Sequence, residues 1–325
     1  MVHRMRIAIF LVKRFVAMVI TVASVIAIGY IMMFYSPGGF FSASGVENAL
    51  SSVASENPQL YQQIINEFNA RYGLNLPLWR QILLYVWHSL TFNFGYSMQN
   101  PSVKIISTLK SSFPVSAELA FGSVLLALVI GIPLGVVAAL KQNTWIDYVI
   151  SGASLYGQAV PAFVTAVLLV LLFGVVWQNI LPINGWGHFN NAILPVIALG
   201  IGAIGTVTKY MRVSLIEAMR QDYIRTAYAK GVAFRRIVLR HGVRNALTAL
   251  ITVAGPMFAF TVVNTIFVEN VFGIPGLGSQ LNTAFTNDDF PLAITSIFIL
   301  GSMVLISNLI VDILYSVLDP RVRLE

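Results

Sequence analysis

The residue types that usually carry chemistry are scarce in this sequence and poorly spaced for it. The four histidines, His3, His88, His188 and His241, stand far apart and form no H-x-x-x-H pair, and cysteine is absent. Metal ligation by imidazole or thiolate, and attack by a cysteine nucleophile, therefore have no constellation to work with. No G-x-x-x-x-G-K-[ST] occurs, so the chain has no P-loop for a nucleotide, and no G-x-S-x-G presents a serine. Gly200-Ile201-Gly202-Ala203-Ile204-Gly205 does satisfy G-x-G-x-x-G. A dinucleotide site needs a strand before that motif, whereas this run lies inside an apolar helix, where small residues serve close packing. Gly131-Ile132-Pro133-Leu134-Gly135 is a second run of this kind. The acids beside the apolar runs, Glu118, Glu269 and Asp312, fall near interfaces, where capping and snorkelling account for them. Ion coupling would require a mid-membrane acid.

One segment concentrates the charge. Residues 209–244 hold nine of the twenty basic residues. Ile216, Met219, Tyr223 and Ala227 recur at spacings of three and four, which predicts one apolar stripe on a helix. Glu217, Asp222 and Arg225 lie away from that stripe. Gly231 supplies the stop expected at a helix C-terminus, and a second basic helix follows over 234–244. Positive charge alone would let this segment rest on lipid headgroups. The mixed charges, the two tyrosines, and the small surface of Ala227, Ala229 and Gly231 suit a helix that enters a protein groove.

The elements that must position this segment are apolar. Of 325 residues, 57% are hydrophobic and 10% charged, against roughly 25% charged in a soluble domain. A soluble fold of this length could not hide that much apolar surface. This excludes a cytosolic enzyme, a nucleic-acid-binding domain and a disordered chain. The net charge of +7 then reports membrane orientation and contact with anionic lipids rather than nucleic acid.

A bilayer core needs about 20 apolar residues per helix. Charge-free runs over 15–46, 119–140, 148–208, 245–268 and 290–311 supply them. The run of 61 residues from 148 to 208 is interrupted by a polar loop at 178–191, so it holds two spans, near 148–177 and 192–210. Six helices result, since an open sheet edge cannot face lipid. The first follows Arg4, Arg6, Lys13 and Arg14 and is too long for a cleaved signal, so it reads as a retained signal anchor. With both termini cytoplasmic, sixteen of the twenty basic residues lie inside. The expected division is a signal-anchor helix at 1–35, an extracytoplasmic segment at 36–112, a transmembrane domain at 113–316 and a cytoplasmic tail at 317–325. In the outer segment, 42–56 reads as mobile, 61–71 and 78–90 as short amphipathic helices, and 93–101 as a turn region.

Asp222-Tyr223-Ile224-Arg225-Thr226-Ala227-Tyr228-Ala229-Lys230-Gly231, followed by Arg240-His241 and Arg244-Asn245-Ala246-Leu247, resembles the coupling segment of ABC-importer permeases. The wider family pattern is E-A-A, three residues, G, nine residues, then I-x-L-P. Arg225-Thr226-Ala227 occupies the E-A-A place and Gly231 is the glycine, while His241 and Arg244 replace the Ile and Pro. That departure is similar to the dipeptide/oligopeptide/nickel branch. The run from Glu269 through Phe272 and Pro275-Gly276-Leu277-Gly278 resembles the family's E-x-x-F-x-x-P-G-L-G, and Leu318-Asp319-Pro320-Arg321 its C-terminal signature. Asn93 stands where the family usually has Asp. The long outer segment is similar to the B-type subunit of the permease pair.

The resemblance implies an all-α polytopic protein with the type I ABC-importer transmembrane fold, multi-pass in the cytoplasmic membrane of a prokaryote. It implies no enzyme and no cofactor or metal in this chain, with ATP and Mg held by partner subunits. The implied partners are a second homologous permease, two ATP-binding subunits, an extracytoplasmic peptide-binding protein and membrane lipids, with no nucleic acid. The implied cargo is a dipeptide or oligopeptide, with nickel or glutathione as alternatives of the same branch. Coupling to the ATPase would fall to Glu217, Asp222, Tyr223, Arg225, Thr226, Ala227, Ala229, Lys230 and Gly231. Glu269, Phe272, Pro275, Gly276, Leu277 and Gly278 would form an outer gate or binding-protein contact, or else a rigid hairpin joining spans five and six. On the residues alone, a stand-alone secondary carrier or channel stays open as a second class.

Overall fold

The computed structural model describes residues 2–35, 55–73, 76–97, 99–100, 102–287 and 289–318. Among these the chain is helical, and its only extended pairing is an isolated bridge between Tyr96 and Lys104. The helices are α1 (Val2–Phe34), α2 (Pro58–Tyr72), α3 (Leu78–Leu90), α4 (Ile105–Leu140), α5 (Trp145–Ala159), α6 (Ala162–Leu171), α7 (Phe189–Met219), α8 (Asp222–Ala229), α9 (Phe234–Arg236), α10 (Arg244–Val271), α11 (Leu277–Thr286) and α12 (Phe290–Leu318). Segments Leu172–Val176 and Ile237–Val243 are π-helical. Among the described residues four helices are long and apolar enough to cross a membrane, and up to six spans result if each bent pair counts as one.

The bent pairs have identifiable causes. Trp145–Ala159 and Ala162–Val176 meet at 98°, where 148–177 reads as one straight span in sequence. Pro161 has no N–H, and it holds Val160 in the extended region at φ −84°, ψ 120°. Phe234–Thr248 and Val253–Val271 meet at 61°. There Pro256 withdraws a hydrogen bond from the carbonyl four residues earlier. Several helices outrun their predicted spans. α4 begins at Ile105, inside the segment assigned to the exterior, and α7 continues to Met219, past the expected end near 210. Charge marks where apolar runs stop, but a helix can continue into water with polar residues.

The chain forms two compact units, Met1–Pro114 with Gly276–Ser302, and Val115–Pro275 with Met303–Glu325. In the first, α1 buries Val22, Ile26, Tyr30 and Met33, one narrow stripe at helical spacing, and leaves Ile20, Ile28 and Met32 exposed. The Tyr30 hydroxyl donates to Gln81 Oε1 at 2.7 Å, and its ring lies 5.5 Å from that of Tyr85. The Tyr85 hydroxyl donates to the carbonyl of Pro291 at 3.2 Å. Ser97 and Gln99 of the turn region donate to Asp289 and to the Asn287 carbonyl.

In the second unit α7 packs against α5, α6 and α10, and the glycine runs set how closely. A Cβ on Gly135 would stand 2.6 Å from Met211 Cβ, and one on Gly131 would stand 2.8 Å from Val207 Cβ. On α7, Gly205 abuts the Ser154 carbonyl of α5. The G-x-G-x-x-G run is thus a helix-packing surface, as its apolar setting requires. Asp319, Pro320, Arg321, Arg323 and most of 42–56 lie outside the described residues, as does the side chain of Asp312.

Candidate functional site

The 211–244 segment divides differently from its sequence pattern. α7 ends at Met219, a turn follows in which Arg220 N–H donates to the Glu217 carbonyl at 3.2 Å, and α8 starts afresh at Asp222. The stripe from Ile216 to Ala227 is therefore cut in two. The residues buried here are Met211, Leu215 and Ala218 on α7 and Ile224 on α8, whereas the predicted stripe lies beside them, with Ile216, Met219 and Ala227 half-buried and Tyr223 exposed. Glu217 belongs to α7 and faces outward. The helical period held, but its phase was off by one position in each helix, and nothing in it marked the break at Arg220-Gln221.

An isolated helix of eight residues is too short to hold itself. Three contacts anchor α8. Ile224 is 1% exposed. The Tyr223 hydroxyl accepts from Asn245 Nδ2 at 2.9 Å. Tyr228 stacks on Phe234 with ring centroids 6.4 Å apart and planes at 24°. Asp222 stands in the first turn, where the helix dipole favours an acid. At the other end Gly231 adopts φ +72°, Val232 N–H donates to the Ala227 carbonyl at 3.2 Å, and Gly231 N–H to that of Tyr228 at 2.9 Å. This is a complete Schellman stop, and its left-handed residue is a glycine for steric reasons.

What remains of α8 faces outward. Asp222, Tyr223, Arg225, Thr226, Tyr228, Ala229, Lys230 and Gly231 are exposed, and Ala227 is half-buried. The structure thus brings these coupling candidates onto one short element and leaves Glu217 off it. Arg225 and Asp222 approach at 3.8 Å, but side-chain exposures of 81% and 97% make that pair nearly worthless as an anchor.

The foot of α7, which carries α8, is clamped from elsewhere. Arg212 Nε donates to Asp147 Oδ1 at 2.6 Å and Nη2 to Oδ2 at 2.7 Å. Asp147 is 2% exposed and also accepts from Asn143 N–H at 2.9 Å and Ser151 Oγ at 3.2 Å. Gly242 of the π-helical segment lies against the same foot, where a Cβ would come 2.9 Å from Leu215 and 3.0 Å from the Met219 sulfur. Sequence reasoning missed Asp147, Arg212 and Asn245. The available signal was Asp147 itself, the one charge between Lys141 and Lys209.

The 269–278 run is mostly interior. Glu269 is 0% exposed and accepts from Ser116 Oγ at 2.6 Å. Phe272 and Ile274 belong to an apolar cluster with Leu119, Leu194 and Val268. Gly273, at φ +59°, ends α10 by the same motif as Gly231, with Ile274 N–H donating to the Glu269 carbonyl at 2.9 Å. Gly276, Leu277 and Gly278 open α11 and are buried, which leaves Gly273 and Pro275 exposed. Burial of Glu269 and Phe272 favours the rigid-hairpin alternative for those two residues.

Comparison with known proteins agrees with this architecture. Residues 131–324 match the family described as binding-protein-dependent transport system inner membrane component. The dipeptide transport system permease protein DppB of Lactococcus lactis subsp. cremoris is 32% identical over 97% of this chain and 99% of its own length. The oligopeptide transport system permease protein OppB of Salmonella typhimurium is 34% identical over the same shares. Among solved structures, the MetNI methionine ABC transporter in inward facing conformations superposes with TM-score 0.57 at 17% identity, covering 66% of this chain and 97% of that one. That likeness concerns the fold.

Proposed function

The chain belongs to the family of binding-protein-dependent transport system inner membrane components, and from that premise we propose that it is one permease subunit of an ATP-driven peptide importer. The observation that carries the reading is similarity at 32–34% identity, over nearly the whole chain, to dipeptide and oligopeptide permeases. Each bent helix pair then counts as one crossing, which gives six spans with both termini in the cytoplasm.

The energy comes from outside this chain, and α8 is where it enters. One of two ATP-hydrolysing subunits grips the exposed side of α8, with Tyr223, Ala227 and Gly231 seated in its cleft and Asp222, Arg225 and Lys230 setting register. Closure of the ATPase pair moves α8, and the Asp147–Arg212 clamp passes the motion from the α7 foot to α5. The permease pair then alternates between outward and inward openings. Glu269 and Phe272 act as scaffold, and they hold the exposed corner at Gly273 and Pro275 toward the extracytoplasmic binding protein.

The test is uptake by the whole reconstituted complex. Labelled dipeptides and oligopeptides should enter proteoliposomes only with ATP and binding protein present, and nickel should not. Nickel uptake without peptide uptake would overturn the peptide assignment, and gradient-driven flux through this chain alone would overturn the importer reading.

A further inference from the structure

Pro161, at the α5–α6 bend, and Pro256, within α10, line one cavity of about 560 Å³ in the second unit. A helix broken at membrane depth exposes backbone groups that lipid cannot satisfy, so such breaks persist where they meet protein or a water-filled space. Val160 stands about 22 Å along α5 from its start, at ~1.5 Å per residue. The last turn of α5 leaves carbonyls without intrahelical donors, and Gln158, Ala159 and Val160 of that turn line the cavity.

Among the described residues the one formal charge on this cavity is that of Lys209, and Gln158, Thr206, Tyr210, Thr261 and Asn264 are its neutral polar groups. Lys209 lines it, follows 61 uncharged positions in sequence, and makes no ion pair among the described residues. Among the described residues no carboxylate lines the same space. Lys209 is exposed in this chain, so its unpaired ammonium is available to an anion that enters the space. The amide groups nearby are half-used. Gln158 Nε2 donates to the Ser154 carbonyl at 3.1 Å and Asn264 Nδ2 to that of Phe260 at 2.8 Å. Their side-chain oxygens are left to accept from N–H donors.

We infer that this cavity is a peptide subsite, in which Lys209 holds the substrate's terminal carboxylate and the oxygens of Gln158 and Asn264 accept from its backbone amides. The inference rests on the peptide-importer reading. From Leu199 to Lys209 the lining runs about 15 Å along α7, the reach of about four extended residues.

The experiment compares ATP-driven uptake of tetra-alanine and of its C-terminal amide by the whole complex, each corrected for its measured affinity for the binding protein. The wild type favours the free acid by about tenfold, the scale of one charge-assisted hydrogen bond. Lys209→Gln brings the ratio near one by slowing the acid, and Lys209→Arg retains most of the preference. Asn264→Asp, which adds a carboxylate to the cavity, is the second readout and lowers the acid-to-amide ratio. No wild-type preference, or a ratio unchanged in both Lys209→Gln and Asn264→Asp, overturns the subsite even if total uptake falls. A wild-type complex that takes up neither peptide overturns the peptide reading, and the subsite with it.

Discussion

Arg212 and Asp147, 65 positions apart in sequence, form a two-pronged ion pair that pins the foot of α7 to the start of α5. The geometry has a consequence for stability. Asp147 is 2% exposed and accepts four hydrogen bonds, so removing Arg212 leaves a buried carboxylate underpaired, whereas removing Asp147 leaves an arginine whose side chain is 25% exposed. Asp147→Ala leaves Arg212, the Asn143 N–H and Ser151 without that acceptor and should cost about 1–3 kcal/mol. The thermal midpoint of the purified complex would measure it. Arg212→Lys keeps the charge but loses the fork and should fall between. The double variant Asp147→Asn/Arg212→Gln should recover part of the loss. Equal stability of Asp147→Ala and wild type would remove the clamp from the account.

Gly231 tests the stop of α8 separately from its surface. A Cβ there meets nothing within 4 Å, but φ is +72°. Gly231→Ala therefore carries a backbone cost of about 1 kcal/mol, with little loss of assembly. Gly231→Pro cannot adopt that φ at all and should leave the chain in the membrane with ATP hydrolysis no longer yielding uptake. The ratio of ATP hydrolysed to peptide delivered is the measurement. A normal ratio in Gly231→Pro would contradict the role of α8.

Gly135 and Gly152 form a matched pair. A Cβ at Gly135 would meet Met211 Cβ at 2.6 Å and the Thr208 carbonyl at 2.7 Å, whereas one at Gly152 meets nothing within 4 Å. Gly135→Val should force α4 and α7 apart and lower the thermal midpoint sharply, by a penalty of about 1–3 kcal/mol or more. Gly152→Val should be tolerated. Similar midpoints for both would contradict the close packing.

Glu269 and Pro275 separate scaffold from contact. Glu269→Ala removes a fully buried group and leaves Ser116 without that acceptor, so the complex should lose about 1–3 kcal/mol of stability. Pro275 is exposed, and a cysteine placed there should crosslink to the binding protein at saturation. Crosslinking absent at Pro275→Cys would assign the whole run to the hairpin.

Sequence made the membrane character and the basic segment around α8 legible because charge is excluded from the apolar spans and concentrated in 209–244. It also placed Gly231 correctly, since a left-handed stop has a residue preference. Three features escaped it. The Asp147–Arg212 pair is long-range, and no spacing rule reaches across 65 positions. The 98° bend required knowing that Pro161 breaks rather than kinks its helix. Buried Glu269 accepts from Ser116, which lies 153 positions away. Local periodicity records what a helix offers to its neighbours, while the neighbours come from the fold.

The central claim is that α8 is the handle gripped by the ATPase. The chain has no cysteine, so Ala229→Cys, at an exposed position on α8, gives a clean single site. Asn190→Cys, at an exposed position on α7, serves as the control at the opposite end of that helix. With a short bifunctional reagent and the assembled complex, Ala229→Cys should crosslink to the ATP-hydrolysing subunit, with a yield that changes between ATP-bound and nucleotide-free states, and Asn190→Cys should not. No crosslink from Ala229→Cys in either state would contradict the account.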